Sequence, residues 1–176
     1  MTILHGSTVI IYSERRRAMQ KTLIIEDIKD HRDFIPILAD WHFREFGELC
    51  GAPSEEKYRD MLMLHIREDL IPSTFVATGE KGLIGSVSLV TCDMTIMPHL
   101  TPWMARLYIH PPFREQGSGS ELVEAAVQAC QSSCSRLYLY ASGDLIRFYT
   151  RLGWEIFEED VFYGGSPQTI MEYVMH

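Results

Sequence analysis

A chain of 176 residues, 46% of them hydrophobic, is one domain's worth and can bury a core without disulfide or metal staples. Its formal charge of −8, with the basic residues scattered, disfavours a nucleic-acid partner, and no stretch approaches the ~18 uninterrupted apolar residues that cross a bilayer. The four cysteines, Cys50, Cys92, Cys130 and Cys134, form no CxxC pair and no metal-ligand spacing with the seven histidines, so they read as reduced thiols of a cytoplasmic protein.

Residues 1–21 read as an N-terminal extension. Their basic cluster, Arg15 to Arg17, follows the apolar segment, the reverse of a secretory signal. A single domain is expected over 22–176, opening with the β-rich run TLIIEDI. In DHRDFIPILADWHFREFGEL, Phe34, Ile37, Leu38, Trp41 and Glu45 recur at helical spacing, with a stop near Gly47 or Gly51. SEEKYRDMLMLHIREDL predicts a second helix capped by Ser54, with Tyr58, Met61, Leu62 and Ile66 on one face. STFVATGEKGLIGSVSLVTCDM predicts a hairpin turning at Gly79 to Gly82. TPWMARLYIHP is a further strand, and from Gly119 the positions Val123, Ala126, Val127 and Cys130 line a helical face.

The strand RLYLYA follows, then a short helix with Leu145, Phe148, Tyr149 and Leu152 on one stripe and Gly153 as its stop. Two last strands meet at Gly164-Gly165, a dipeptide suited to the positive φ of a tight hairpin. The order β-α-α-β-β-β-α-β-α-β-β predicts an α+β fold with helices on both faces of the sheet. It is mostly antiparallel, with one β-α-β unit that requires a parallel pair.

FREQGSGSEL, residues 113–122, lies at a strand-to-helix junction. There the first helix amides lack partners and, with the helix dipole, attract a phosphate. Gly117 and Gly119 let an anion approach, and Arg114 adds a charged donor. The triphosphate loop GxxxxGK[ST] is absent, and the dinucleotide fingerprint GxGxxG fails because Leu122 occupies the third glycine position. The pattern that fits is R-x-x-G-x-G at Arg114 to Gly119, which resembles the acetyl-CoA pyrophosphate loop of the GNAT superfamily of N-acetyltransferases. RFYTRLGWE, residues 147–155, resembles the FYxxLGF/W segment of the same superfamily, in the expected order.

That resemblance implies a central parallel strand pair, ARLYIH and RLYLYA, splayed apart beside a bulge to admit the pantetheine arm. It implies cofactor contacts from Leu107, Tyr108 and Ile109 on the strand, from Arg114, Gln116, Gly117, Ser118, Gly119 and Ser120 at the pyrophosphate, and from Ser142 where an asparagine is usual. Glu115 stands where a basic residue is more usual. The implied reaction is direct attack of a primary amine on acetyl-CoA through a tetrahedral intermediate, with Tyr149 as the acid for the leaving thiolate and no metal. A base must deprotonate the amine, and Glu45, Glu48, Asp93 and His99 are candidates, Asp93 and His99 first.

Trp41, Phe46, Trp103 and Tyr163 are candidates for an aromatic wall. The expected partner is a small-molecule or peptide amine, not nucleic acid or membrane, with a homodimer left open. A non-catalytic acyl-CoA-binding or regulatory domain is the alternative.

Overall fold

The computed structural model describes residues 10–11, 23–47 and 54–175. Most of the 1–21 extension, Glu48, Cys50 and Gly51 lie outside them. Eight strands form one sheet: β1 Ile10–Ile11, β2 Ile24–Asp27, β3 Ser73–Gly79, β4 Gly82–Val90, β5 Trp103–Ile109, β6 Arg136–Ala141, β7 Glu155–Tyr163 and β8 Ser166–Val174. Their order is β1-β2-β3-β4-β5-β6-β8-β7, and every neighbouring pair is antiparallel except β5 and β6.

Alternation along β3 sorts the helices between the two faces. Phe75 and Ala77 pack in the cluster that holds Leu122, Val123 and Ala126 of α3 (Ser118–Cys130). Val76, between them, packs in the cluster of Ile35 and Leu38 from α1 (Ile35–Phe46) and Tyr58 and Leu62 from α2 (Glu55–Leu64). A third cluster, around Trp103, Tyr138 and Ile170, closes the end where β5 meets β6. The short helix α4 (Asp144–Thr150) adds Tyr149 to the α3 side.

The expected element order holds from β2 onward, including the positive φ of Gly164 (60°) and Gly165 (84°) in the last turn. Ser54 caps α2, accepting from the Lys57 amide at 3.4 Å. Two expectations need correction. The buried stripe of α1 is Ile35, Leu38, Ala39 and His42, not the Phe34, Ile37, Trp41 series, and Ile37 is 42% exposed. Positions 34, 35, 37, 38, 39 and 41 are all apolar, so periodicity alone supports two adjacent stripes. In addition, α2 stops at Leu64 because His65 turns into the sheet, where Nδ1 bonds Thr74 Oγ1 at 2.7 Å.

The sheet is split at its parallel pair. β5 and β6 register only at Trp103 and Tyr138, with the Tyr138 amide donating to the Pro102 carbonyl at 3.0 Å. On the β4 side, Ser86 faces Tyr108 while Ser88 faces Ala105, so two residues of β4 span three of β5. That extra residue is a β-bulge, and Arg106 inside it adopts φ 52°. β4 must approach closely there: a Cβ on Gly85 would overlap the Tyr108 carbonyl oxygen. β6 is meanwhile fully laddered to β8, from Arg136–Val174 to Ala141–Thr169. One wall of the split is thus bent by the bulge, and the other is held straight.

Candidate active site

Two adjoining cavities occupy the split. The larger, about 560 Å³, lies between β5 and the start of α3, and the smaller, about 240 Å³, lies between β5 and β6. Phe46, Leu107 and Leu145 line both. The larger is lined by Leu107, Tyr108, Ile109, Arg114, Gly117, Ser118, Gly119 and Ser120, eight of the expected cofactor contacts, together with Phe113, Glu115 and Phe148, which were not among those contacts. Gln116 does not line it, and its Nε2 donates to the Pro112 carbonyl at 3.0 Å.

The loop conformation follows from its sequence. Glu115 and Gly117 take left-handed φ values of 61° and 89°, and Arg114 is extended. Gly117 is the N-cap of α3, and the Glu121 amide donates to its carbonyl at 3.2 Å as the first bond of the helix. The amides of Ser118, Gly119 and Ser120 come before that bond, at the positive end of the helix dipole. The two glycines do different jobs. Gly117 supplies the dihedral, whereas a Cβ on Gly119 would project to 3.7 Å from Ile109 and Phe148, into the cavity. Arg114 folds along the rim: Nε donates to the Ile109 carbonyl at 2.9 Å and Nη2 to Glu45 Oε2 at 3.3 Å.

Tyr149, Ser142, Asp93 and Arg106 meet at the smaller cavity. Tyr149 is 7% exposed, and burial alone pushes its phenol well above the ordinary tyrosine range. Ser142 lines the cavity without capping α4, whose N-cap is Gly143. The Asp93 carboxylate is 10% exposed and sits 3.5 Å from Arg106 Nη2. Burial raises its proton affinity, and the neighbouring guanidinium opposes that rise. The other candidate bases lie elsewhere: Glu45 lines the larger cavity paired to Arg114, and exposed His99 lines neither.

Of the aromatic candidates only Phe46 lines these cavities. Trp41 stacks on His110, with centroids 4.4 Å apart at 4°. Trp103 is core, its indole N–H donating to the Leu100 carbonyl at 2.6 Å, and Tyr163 donates to the Asp93 carbonyl at 3.3 Å. The polar walls unrecognised in the sequence are Arg106, Tyr140, Ser166 and Gln168. Arg106 carried a signal, being the one charged residue in the strand WMARLYI.

A strand pair opened by a bulge, beside a glycine-led helix start, is the arrangement at the centre of this fold. Residues 72–156, from the start of β3 to the start of β7, match the family model for the acetyltransferase (GNAT) domain. The match spans just under half of the chain, and that segment includes the loop, the split and Tyr149. The fold is similar to that of a GNAT-family acetyltransferase from Streptococcus pneumoniae (19% identity, 88% of this chain and 99% of that one, TM-score 0.66). It is also similar to a GCN5-related N-acetyltransferase from Kribbella flavida (16% identity, 87% and 98%, TM-score 0.67) and to yncA of Salmonella typhimurium, solved with its cofactor acetyl-CoA (14% identity, 88% and 94%, TM-score 0.65). No curated protein sequence matches. Among the described residues no helix is long and apolar enough to cross a membrane.

Proposed function

We propose that the chain is a cytoplasmic N-acetyltransferase, formed as one domain over 22–176, that moves an acetyl group from acetyl-CoA to a primary amine. The observation that carries this reading is the set of α3 amides lying ahead of the first intrahelical bond, facing a cavity that adjoins the split above Tyr149. Acetyl-CoA supplies the activated thioester. Arg114 and the amides of Gln116, Gly117, Ser118, Gly119 and Ser120 hold its pyrophosphate by charge-assisted hydrogen bonds. The β6-facing backbone of Leu107, Tyr108 and Ile109, left unladdered by the split, receives the pantetheine amides, with Ser142 opposite. A β5 amide of the same stretch holds the developing oxyanion, a kind of contact that lowers such barriers by roughly 3–4 kcal/mol.

Tyr149 donates to the leaving sulfur. Burial keeps its phenol protonated, so it acts as a hydrogen-bond donor until the C–S bond is nearly broken. Asp93 takes the proton of the attacking amine. An ammonium near its ordinary value of about 10.4 gives that proton up uphill to any carboxylate. Burial of Asp93 narrows the gap, and Arg106 keeps the carboxylate ionised.

The test is CoA release across a panel of amines, wild type against Tyr149→Phe, with thermal stabilisation by CoA measured on both. The expected outcome is unchanged stabilisation and a loss of turnover of about 100-fold in the variant. Equal turnover in the two proteins removes Tyr149 from the mechanism. No release from any amine, with stabilisation intact, makes the domain an acyl-CoA binder.

A further inference from the structure

Arg106 is a buried cation with too few partners. It sits in the β5 bulge at φ 52°, a left-handed conformation that costs a branched or long side chain about 1 kcal/mol or more. Its side chain is 12% exposed and lines the smaller cavity. Its ion pair with Asp93, at 3.5 Å, is looser than the roughly 2.7–2.9 Å of a close charge-assisted bond. Nε and Nη1 are buried and meet no hydrogen-bond acceptor among the described residues.

Several polar side chains beneath the sheet bond one another, while His42 Nδ1 and Ser73 Oγ meet no partner among the described residues. His42 Nε2 bonds Ser86 Oγ at 2.9 Å, His65 Nδ1 bonds Thr74 Oγ1 at 2.7 Å, and Thr74 Oγ1 bonds Ser88 Oγ at 2.8 Å. Burial and the Arg106 charge hold both imidazoles neutral. A guanidinium removed from water with its donors unmade is strongly disfavoured, and an anion entering from the cavity would relieve that.

Resting on the acetyltransferase reading above, we infer that the acceptor is an amine with a carboxylate beside it, the head group of an α-amino acid, bound across Arg106 and Asp93. Its carboxylate takes the guanidinium and its ammonium takes Asp93, so one loose ion pair is replaced by two close ones of matching sign. A polyamine or an uncharged amine offers nothing to Arg106, and a polycation is repelled by it. The cavity, about 240 Å³ and walled by Phe46, Leu139 and Tyr140, suits a small molecule. In the reaction one ammonium proton passes to Asp93, the nitrogen bonds the acetyl carbon, and as the C–S bond breaks the thiolate takes a proton from Tyr149, which is replenished by the second proton that the nitrogen loses on becoming an amide. The products are an N-acetyl amino acid and CoA, with the substrate carboxylate unchanged throughout.

The experiment compares L-α-amino acids with their decarboxylated amines and their amides as acceptors, in wild type, Arg106→Lys and Arg106→Met, reading kcat/KM for CoA release. Carboxylate-bearing members of each matched set are expected to be favoured by about 100-fold or more in wild type, and within about threefold of parity in Arg106→Met, with Arg106→Lys between them. CoA still stabilises all three proteins. Equal or better use of the decarboxylated amines or amides by wild type overturns the inference while leaving the acetyltransferase reading intact, and wild type alone decides if the variants fail to fold. Retention of the preference in a folded Arg106→Met overturns it too. Where no acceptor turns over, titration of the same compounds into CoA-saturated protein takes over: carboxylate-dependent binding supports the inference, and its absence ends it. Failure of CoA itself to bind sinks the enzyme reading instead.

Discussion

The two ends of the split are built differently. At the α3 end, the anion-facing groups are main-chain amides of consecutive residues, 118–120, set by one left-handed glycine. At the β6 end, the cavity is lined by polar side chains from four separate segments, on which the proposed chemistry would rest: Asp93 after β4, Arg106 in the β5 bulge, Ser142 after β6 and Tyr149 on α4. A main-chain site tolerates change in its side chains as long as the dihedrals survive. A side-chain site is rebuilt by single substitutions, so acceptor choice can change while the cofactor end stays constant.

This contrast is tested most severely by Asp93→Asn. The amide cannot take the amine proton, so turnover is expected to fall by about 1000-fold while the dissociation constant for CoA stays within about twofold. A parallel loss of CoA affinity would mean that the two ends are not separable. Removing the carboxylate also leaves Arg106 without its counter-charge, so the thermal midpoint should fall as well, and raising the pH should not restore the rate as it would for a merely protonated Asp93.

Beneath the acceptor end lies a stability effect of comparable size. Burial lowers His42 to about 3 and His65 to about 4, so the folded chain stays neutral there while the unfolded chain takes up protons below the ordinary value of 6.5. Stability that is full above that pH is therefore lost as pH falls, by about 2 kcal/mol per histidine at pH 5. Asp93, raised by its burial, protonates earlier in the folded state and offsets part of this loss at the acid end. Denaturant melts at pH 7 and pH 5 measure the sum, and His65→Gln should remove about half of the pH dependence. A flat profile would place both imidazoles in contact with water.

Gly85 tests the geometry that separates the strands. A methyl group there meets the Tyr108 carbonyl and Ile109, so Gly85→Ala should destabilise the chain by roughly 1–3 kcal/mol and weaken CoA binding through the displaced β5 backbone. Destabilisation with CoA affinity untouched would disconnect the bulge from the cofactor end.

Legibility in the sequence follows the same division. The loop was legible because its cause is local: two glycines, an arginine and a strand-to-helix switch within ten residues. The last hairpin and the α2 cap were legible for the same reason. The phase of α1 was not, because apolar residues fill both candidate stripes and only packing against Val76 and Leu83 selects between them. Trp41 and Trp103 are candidates for a site wall only on residue type, but stacking on His110 and burial beside Tyr138 use them elsewhere. Arg106, although the one charged residue of its strand, was overlooked because its significance lies in a left-handed bulge and in a carboxylate thirteen residues away, neither of which its type alone reveals.

Glu115 offers the smallest and most discriminating effect. Its side chain is exposed at the rim of an anion-facing loop, and its backbone, at φ 61°, helps to shape that loop. If the cofactor end works through main-chain amides, the carboxylate is only a weak and screened repulsion, and Glu115→Gln should tighten CoA binding by about threefold at low salt. The gain should shrink towards nothing at roughly 0.5 M salt, with turnover per bound complex unchanged. Glu115→Gly, which relieves the left-handed strain as well, should tighten binding further and keep part of the gain in salt. A salt-insensitive loss of affinity in Glu115→Gln would instead mean that the carboxylate organises the loop, and the α3 end would then depend on side chains as the β6 end does.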